Sequence, residues 1–213
     1  MFTGIIQAKG SIHEVHPSEK GAVLVINSDD LDLADSNVGD SIAVNGVCLT
    51  ATKLKKNFFT ADVSQETLSC TTFSELTEGQ HVNLEKSLRL NQGIDGHLVS
   101  GHVDGVGEVC SVYSEGESTR LKIKVMTDLM KYIAKKGSIC INGVSLTVNS
   151  VIGNIFDVNI VPHTLSATTL GDLNEKSKVN LEIDIIARHV EQLISHKIDS
   201  GVDLSALDKN EHL

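Results

Sequence analysis

One segment of the chain is rich in residues that could hold and react with a flat, polar ligand. It spans Gly96 to Val103 and contains two glycines, two histidines and a serine. Glycines let backbone N–H and C=O groups approach a ligand closely. The imidazole of His102 can transfer protons near neutral pH, although a single histidine at a strand edge is more often satisfied by the backbone. The glycines do not form G-x-G-x-x-G before a helix, which argues against a dinucleotide site.

Two other side chains are candidates for chemistry. Cys48 follows a predicted hairpin turn, where it is either an activated nucleophile or a buried apolar thiol. Lys136 stands at a predicted strand start, where a solvated lysine is the ordinary role. No C-x-x-C pair and no Cys/His cluster of zinc spacing is present, so we predict no metal site. Reduced thiols are expected for Cys48, Cys70, Cys110 and Cys140.

An internal repeat supplies the elements that position these residues. At an offset of 97, Asn45-Gly46-Val47 falls on Asn142-Gly143-Val144. In the stretch beginning at Ser41 and Ser138, 20 of 45 positions are identical without a gap. Solenoid repeats are shorter, about 20–50 residues. The pattern therefore predicts a duplicated domain with a boundary near residues 88–97.

Both halves carry the pattern of short β-strands. Runs such as Ala22–Ile26 and Leu121–Val125 are apolar or β-branched and end at turn-forming residues. The repeated Asn-Gly pairs predict tight hairpins, because both residues tolerate a positive φ. Closing such strands into a small barrel removes exposed edges. We predict an all-β fold of two tandem six-stranded barrels, residues 1–92 and 93–184, with short helices at Asp30–Leu33, Thr67–Thr72, Asp128–Lys135 and Thr164–Thr169.

The segment after Asp184 breaks the repeat and has the pattern of a helix. An apolar stripe at helical spacing is formed by Ile186, Val190, Leu193 and Ile194. With Asp184 as its cap, we predict a helix over 185–201, followed by a polar tail at 202–213. The stripe either packs on its own barrel or joins copies of the chain, and we favour self-association.

Composition and charge exclude several kinds of partner. The chain has 18 Lys+Arg against 28 Asp+Glu, a net charge of −10, and only 3% aromatic residues. Nucleic-acid binding depends on cationic and stacking contacts, so it is not expected. No apolar run reaches the roughly 18–20 residues of a membrane span, and the N-terminus lacks the features of a secretory signal. We expect a cytoplasmic protein with no nucleic-acid or membrane partner.

The repeat suggests two similar pockets, and differences between the halves indicate how their chemistry diverges. The paired differences are Ile5/His102, Gly39/Lys136, Cys48/Ser145, Glu66/His163 and Ser87/Asp184. Two pockets of one shape with different reactive groups can hold two identical molecules in different chemical roles. Drift after duplication would also produce such differences.

Five motifs resemble those of riboflavin synthases of the trimeric, alpha-subunit type. They are Met1–Ile6, Asn45–Thr50, Gly96–His102, Asn142–Thr147 and Val179–Asp184, and the resemblance covers about residues 1–200. It implies six-stranded Greek-key barrels, a homotrimer held by the C-terminal helices, and an active site between the first barrel of one subunit and the second barrel of a neighbour. Some relatives also dock into a shell formed by lumazine synthase.

The resemblance also implies a reaction. Two molecules of 6,7-dimethyl-8-ribityllumazine dismutate by four-carbon transfer, which gives riboflavin and 5-amino-6-ribitylamino-2,4-pyrimidinedione. No metal or redox cofactor is needed. Which pocket holds the donor and which the acceptor stays open.

Two sets of substrate-binding residues follow from the same resemblance. The N-terminal pocket would be Gly4, Ile5, Ile6, Cys48, Leu49, Thr50, Asp62, Val63, Ser64, Gln65, Glu66 and Thr67. The C-terminal pocket would be Gly101, His102, Val103, Lys136, Ser145, Leu146, Thr147, Asn159, Ile160, Val161, Pro162, His163 and Thr164. The candidates for proton transfer or for positioning the nucleophile are His102, Ser145 and Thr147, supported by Cys48 and Asp184, with Phe2 packing at the site.

A function without turnover is the alternative. The lumazine- and flavin-binding fluorescent proteins of luminous bacteria are similar to this family, but they hold one ligand as an optical antenna. The present chain keeps Gly101-His102, Lys136, Ser145-Leu146-Thr147 and Asp184. We therefore expect an enzyme.

Overall fold

The computed structural model describes residues 1–199, in which the strands form two closed antiparallel barrels. The first contains β1 (Ala8–Ser18), β2 (Gly21–Asn27), β3 (Ser41–Val44), β4 (Val47–Lys55), β5 (Phe58–Ser64) and β6 (His81–Lys86). The second contains β7 (Gly105–Glu115), β8 (Ser118–Lys124), β9 (Ser138–Ile141), β10 (Val144–Ile152), β11 (Ile155–Ile160) and β12 (Lys178–Ile183).

Both barrels have the same strand order. In the first, the neighbours run β1-β2-β5-β4-β3-β6, and β6 pairs back onto β1. Because β2 pairs with β5 and not with β3, the connection is a Greek key. The second barrel repeats this order from β7 to β12. The predicted all-β fold of two tandem six-stranded barrels is confirmed.

Each barrel closes around its own core. Leu24, Ile26 and Phe59 are fully buried in the first barrel, and their repeat equivalents, among them Leu121 and Phe156, are fully buried in the second. Burying a side chain of this size stabilises the fold by about 1.5–3 kcal/mol. The cores are therefore equivalent, as expected after a duplication.

The repeated Asn-Gly pairs form the predicted hairpin turns. Asn45 and Gly46 have φ of 44° and 79°, and Asn142 and Gly143 have φ of 46° and 84°. These turns also hold the barrels together. The Asn83 side-chain amide donates to the Asn142 carbonyl at 2.8 Å, and its repeat equivalent donates to the Asn45 carbonyl at 2.9 Å. The two halves thus meet around a pseudo-two-fold axis.

Short helices lie close to most of the predicted positions. They are α1 (Gln65–Cys70), α2 (Thr127–Met130) and α3 (Pro162–Ala167). The predicted helix at Asp30–Leu33 is wrong, because that segment is a turn in which Leu31 and Leu33 are buried. The Asp32 carboxylate accepts from the Ala34 N–H at 2.9 Å, a local bond that competes with helix formation.

The last described element is α4 (Ile185–Asp199), which follows the second barrel. The Asp184 carboxylate accepts from the Ile186 N–H at 2.9 Å, so the predicted cap is confirmed. Arg188 forms an ion pair with Asp104, and Lys131 forms one with Glu191 at 2.8 Å. The predicted helix end at Gly201 and the tail at 202–213 lie outside the described residues. None of the described helices is long and apolar enough to cross a membrane.

Candidate active site

In each barrel, two neighbouring strands part at the same place and leave an open rim. β4 and β5 pair from Ala51 and Ala61 towards their hairpin, and beyond these residues β4 pairs with β3 while β5 pairs with β2. β10 and β11 part in the same way beyond Val148 and Val158. Parted strand ends present backbone donors and acceptors that can bind the edge of a planar heterocycle. We call these two openings the first rim and the second rim.

The predicted pocket residues lie along these rims. Thr50 and Asp62 are the first residues beyond the parting point of the first barrel, and both are exposed. Thr147 and Asn159 hold the equivalent positions at the second rim. α1 and α3 begin directly after the parted ends of β5 and β11, which places the predicted helical residues beside the openings. The Ser64 hydroxyl caps α1 by accepting from the Thr67 N–H at 3.1 Å.

The segment that precedes each barrel crosses to the rim of the other barrel. The Gly101 carbonyl accepts from the Cys48 N–H at 2.9 Å, and the Gly4 carbonyl accepts from the Ser145 N–H at 2.8 Å. His102, which follows Gly101 and is exposed, therefore lies at the first rim.

This crossing bears on the predicted grouping of the pocket residues. Gly4–Ile6 was assigned to the N-terminal pocket and Gly101–Val103 to the C-terminal pocket, whereas in the structure each segment contacts the other barrel. Ile6 packs against the core of the second barrel, and Val103 packs against the core of the first. The repeat offset identifies equivalent residues, but it carries no information about which barrel a connecting segment contacts.

Both crossings depend on glycine. A Cβ on Gly101 would lie 2.5 Å from the Cβ of Cys48, and one on Gly4 would lie 2.7 Å from the Cβ of Ser145. The two glycines also have φ of 83° and 75°, a region that other residues rarely adopt. Close contact between backbone and rim thus explains why these positions are glycine.

Two buried carboxylates hold the crossing segments in place. Glu85 accepts from the Thr3 N–H at 2.7 Å, from the Thr3 hydroxyl at 2.8 Å and from the Gly4 N–H at 3.0 Å. Glu182 accepts from the Ser100 N–H and hydroxyl, both at 2.6 Å, and from the Gly101 N–H at 2.9 Å. Burial raises the pKa of both glutamates, and these hydrogen bonds oppose the rise.

Phe2 lies beneath the first rim rather than on its surface. Its side chain is fully buried, and its N–H donates to the Val99 carbonyl at 2.7 Å. Its ring stands so close to Gly101 that a Cβ there would lie 2.9 Å from it. Phe2, one of the candidate catalytic residues, therefore supports the first rim from below.

The second rim contains an arrangement that the sequence analysis did not identify. The His97 Nδ1 lies 2.6 Å from the Ser145 hydroxyl oxygen. The His97 Nε2 and the Asn159 Oδ1 are buried without a hydrogen-bond partner among the described residues, two of four such side-chain atoms there. Buried polar groups are normally paired, so these two atoms are unusual features of the second rim.

Lys136 also stands near the second rim in an unusual backbone conformation. Its φ is 67°, where its repeat equivalent Gly39 has 99°. Its N–H donates to the Val148 carbonyl at 2.7 Å, and its side chain is exposed. A lysine in the left-handed region costs about 1 kcal/mol or more.

Two grooves among the described residues lie away from both rims. A groove of about 450 Å³ lies on the outer face of the first barrel beside His13 and Phe58. One of about 530 Å³ lies between the barrels beside Glu75 and Lys178. Predicted pocket residues line neither of them. Among the described residues, no group of three or more His, Cys, Asp or Glu side chains is placed to hold a metal ion.

Comparison with known proteins agrees with this geometry. The family model described as "Lumazine binding domain" matches residues 3–87 and 100–184, one match per barrel. A riboflavin synthase from Photobacterium phosphoreum is 44% identical over 217 aligned residues, covering 100% of both chains. One from Bacillus subtilis (strain 168) is 37% identical and covers 98% of this chain and 96% of that protein.

The chain belongs to the riboflavin synthase family. Its fold also resembles solved structures of LumP, a protein described in complex with 6,7-dimethyl-8-(1'-D-ribityl) lumazine and in complex with riboflavin. These superpose with TM-scores of 0.77 and 0.78, at 29% and 30% identity, and cover 86% of this chain and 99% of theirs.

Within the riboflavin synthase family motif Gly96–His102, sequence reasoning selected one histidine and missed the other. His102 was chosen because its imidazole can transfer protons and because it differs from Ile5 across the repeat, whereas His97 was not compared with any residue. Glu85 and Glu182 were missed because an identical residue in both halves shows no functional difference. The signal that could have found them is a carboxylate inside the repeated Val-Asn-Leu-Glu motif of β6 and β12.

Proposed function

We propose that the protein is a riboflavin synthase that converts two molecules of 6,7-dimethyl-8-ribityllumazine into riboflavin and 5-amino-6-ribitylamino-2,4-pyrimidinedione. One lumazine gives up a four-carbon unit and the other receives it. Because atoms balance between two identical substrates and the two products, no external oxidant or reductant is required. The observation that carries the proposal is the presence of two equivalent rims with different polar side chains in a chain related over its whole length to riboflavin synthases.

Each rim suits one lumazine. The free backbone groups of the parted strands match the alternating donors and acceptors of a pyrimidinedione, and the hydroxyls of Thr50 and Thr147 can orient it from equivalent positions. The first rim adds His102 and Cys48, and the second adds Ser145 and Lys136. Holding two reactants in one orientation can supply an effective molarity of about 10⁵ M or more. Orientation would thus provide much of the rate.

We infer that the two lumazines meet between subunits. The first rim of one subunit would then face the second rim of a neighbour. The apolar stripe of α4 supplies a means of association, because Ile186, Val190, Leu193 and Ile194 are 46–64% exposed. A trimer of this kind fits the proposed reaction. A cytoplasmic location and docking into a lumazine synthase shell stay predictions of the resemblance.

Binding without turnover is the second candidate, and the similarity to LumP favours it. LumP is described in complex with lumazine, with riboflavin and with flavin mononucleotide. Against this candidate, the second rim retains Ser145, Lys136 and the unpaired Asn159 Oδ1. An antenna protein would need one complete pocket, whereas an enzyme would need both.

An assay of both products separates the two candidates. Purified protein is incubated with the lumazine, with and without a chelator, and riboflavin is followed by absorbance while the pyrimidinedione is quantified. We expect the two products in equal amounts, two lumazines consumed per riboflavin, and no effect of the chelator. Lumazine that is bound but never converted would overturn the enzyme and support the antenna. Activity abolished by chelator and restored by zinc would contradict the metal-free reaction.

A further inference from the structure

The crossing N-terminal segment and the linker between the barrels place His97 against the second rim. The His97 N–H donates to the Thr3 carbonyl at 3.1 Å, and Thr3 is itself held by Glu85. The imidazole then reaches Ser145, with 2.6 Å between Nδ1 and the hydroxyl oxygen. A Cβ on Gly96 would lie 2.1 Å from the Thr3 carbonyl oxygen, so the chain is packed tightly here. The histidine–serine contact is thus fixed by backbone on both sides.

The protonation state of His97 suits the role of a proton acceptor. Burial lowers its pKa, and the nearby Asp184 carboxylate opposes that shift in part. The other carboxylates near this segment are Glu85, which is occupied by Thr3 and Gly4, and Asp95 in the linker. A neutral imidazole at neutral pH can accept the Ser145 proton at Nδ1. The nearby Asp184 carboxylate then stabilises the positive charge on the imidazole.

The arrangement is incomplete within the chain. The His97 Nε2 is buried and has no partner among the described residues. Leaving a buried polar atom unpaired lowers stability by about 1–3 kcal/mol. Such an atom is retained where a functional site needs it unpaired. In the first barrel Cys48 occupies the position of Ser145 and contacts Gly101. In the described chain, the hydroxyl–imidazole pair therefore belongs to the second rim alone.

We propose that Ser145 and His97 form a proton relay that removes a proton from the 7-methyl group of the lumazine bound at the second rim. This inference rests on the proposed riboflavin synthase activity, and it specifies which rim holds the lumazine that loses the proton. The methyl C–H bond breaks, the proton passes to the Ser145 oxygen, and the hydroxyl proton of Ser145 passes to His97 Nδ1. The electron pair stays on the lumazine and is delocalised into its ring. The second rim thereby holds the carbanion, and the first rim holds the molecule that it attacks.

The test measures proton removal separately from turnover. Deuterium uptake into the 7-methyl group is followed by NMR in D₂O with the wild-type chain, His97→Asn, Ser145→Ala and the double variant. Riboflavin formation and the lumazine dissociation constant are measured on the same samples. His16→Asn is the matched control, because His16 is exposed, contacts Glu14 and is not among the residues assigned to either rim.

We expect each single variant to lose about 10²–10⁴-fold in methyl exchange and turnover, with the dissociation constant changed only slightly. The double variant should be no slower than the slower single variant, because the two residues act as one unit. Wild-type exchange should fall as acid protonates His97, and this limb of the pH profile should be absent in His97→Asn. The His16→Asn control should match the wild type.

Unchanged exchange in His97→Asn would overturn the relay, and so would losses that simply add in the double variant. A loss seen only in the dissociation constant would assign His97 to binding. If His97→Asn fails to bind lumazine because it is misfolded, His97→Gln and Ser145→Ala carry the same test. A wild-type chain without riboflavin formation overturns the proposed function itself, whereas an active wild type with an unimpaired His97→Asn overturns only the relay.

Discussion

Glu85 and Glu182 link the pH of the solution to the stability of both crossing segments. Each carboxylate is buried and accepts three hydrogen bonds from the segment that it holds. The pKa of each is nevertheless raised, because burial outweighs those bonds. The folded chain therefore holds these two protons more tightly than the unfolded chain does.

The sign of the pH dependence follows from this difference. Below the ordinary pKa of glutamate, both carboxyl groups are protonated in the folded and in the unfolded chain. Their stabilising contribution to the free energy of unfolding is then at its maximum. It decreases as pH rises through the raised pKa of the folded state. We expect Glu85→Gln/Glu182→Gln to flatten this slope in denaturant titrations from the ordinary pKa of glutamate upward. The exposed control Glu19→Gln should keep the wild-type slope, and an identical slope in all three proteins would contradict this assignment.

Sequence reasoning at this scale found the residues that differ between the halves. Cys48 and Ser145 were identified because the repeat places them at one position, and the structure places each at a rim. His97, Glu85 and Glu182 were missed because their importance depends on contacts with Thr3, Gly4 and Ser145, which are distant in sequence. A side chain that acts through such contacts carries no local pattern.

The two crossing segments are the elements that link each half to the other rim. Gly101 is packed against Cys48, while Gly116 has a similar φ of 63° and nothing within 4 Å of an added Cβ. Alanine at either position costs about 1–2 kcal/mol for the left-handed backbone. Gly101→Ala must also relieve a contact of 2.5 Å, which adds about 1–3 kcal/mol.

Urea unfolding of the two variants checks this difference directly. We expect Gly101→Ala to lose clearly more free energy of unfolding than Gly116→Ala, and to lose lumazine affinity as the first rim shifts. Equal losses in the two variants would show that the crossing does not depend on the close contact.

The apolar stripe of α4 is the element that we expect to join subunits. In Val190→Ser/Leu193→Ser the stripe loses two of its exposed apolar side chains, so sedimentation should detect monomers and riboflavin formation should fall with them. Gln192→Ser on the same helix, also exposed, is the control and should keep the assembly. A double variant with the wild-type sedimenting mass would contradict a role for this face.

Elements with a strong local signal were predicted well. The Asn-Gly hairpins and strands such as β2 and β8 follow from turn residues and apolar runs. β1 was not predicted, because Gly10 and Pro17 interrupt its pattern, yet it pairs with both β2 and β6. Asp30–Leu33 was predicted as a helix, whereas the Asp32 side-chain bond favours a turn. Tertiary pairing and local capping decided these cases.

At the scale of the whole molecule, duplication explains both the symmetry and the sharing of the site. The segment that precedes each barrel crosses to the rim of the other barrel, so each rim is built from both halves of one chain. The proposed reaction needs two lumazines, one at each kind of rim. We therefore expect the first rim of one subunit to work with the second rim of another.

Co-expression of two blocked chains tests this sharing most directly. Thr50→Trp fills the first rim and Thr147→Trp fills the second, at equivalent exposed positions. Each variant alone should be inactive in riboflavin formation. In randomly mixed cyclic trimers, about a quarter of the interfaces should join an unblocked first rim to an unblocked second rim. A comparable share of the wild-type activity should therefore return. A mixture that assembles but stays as inactive as its two parents would contradict a site shared between subunits.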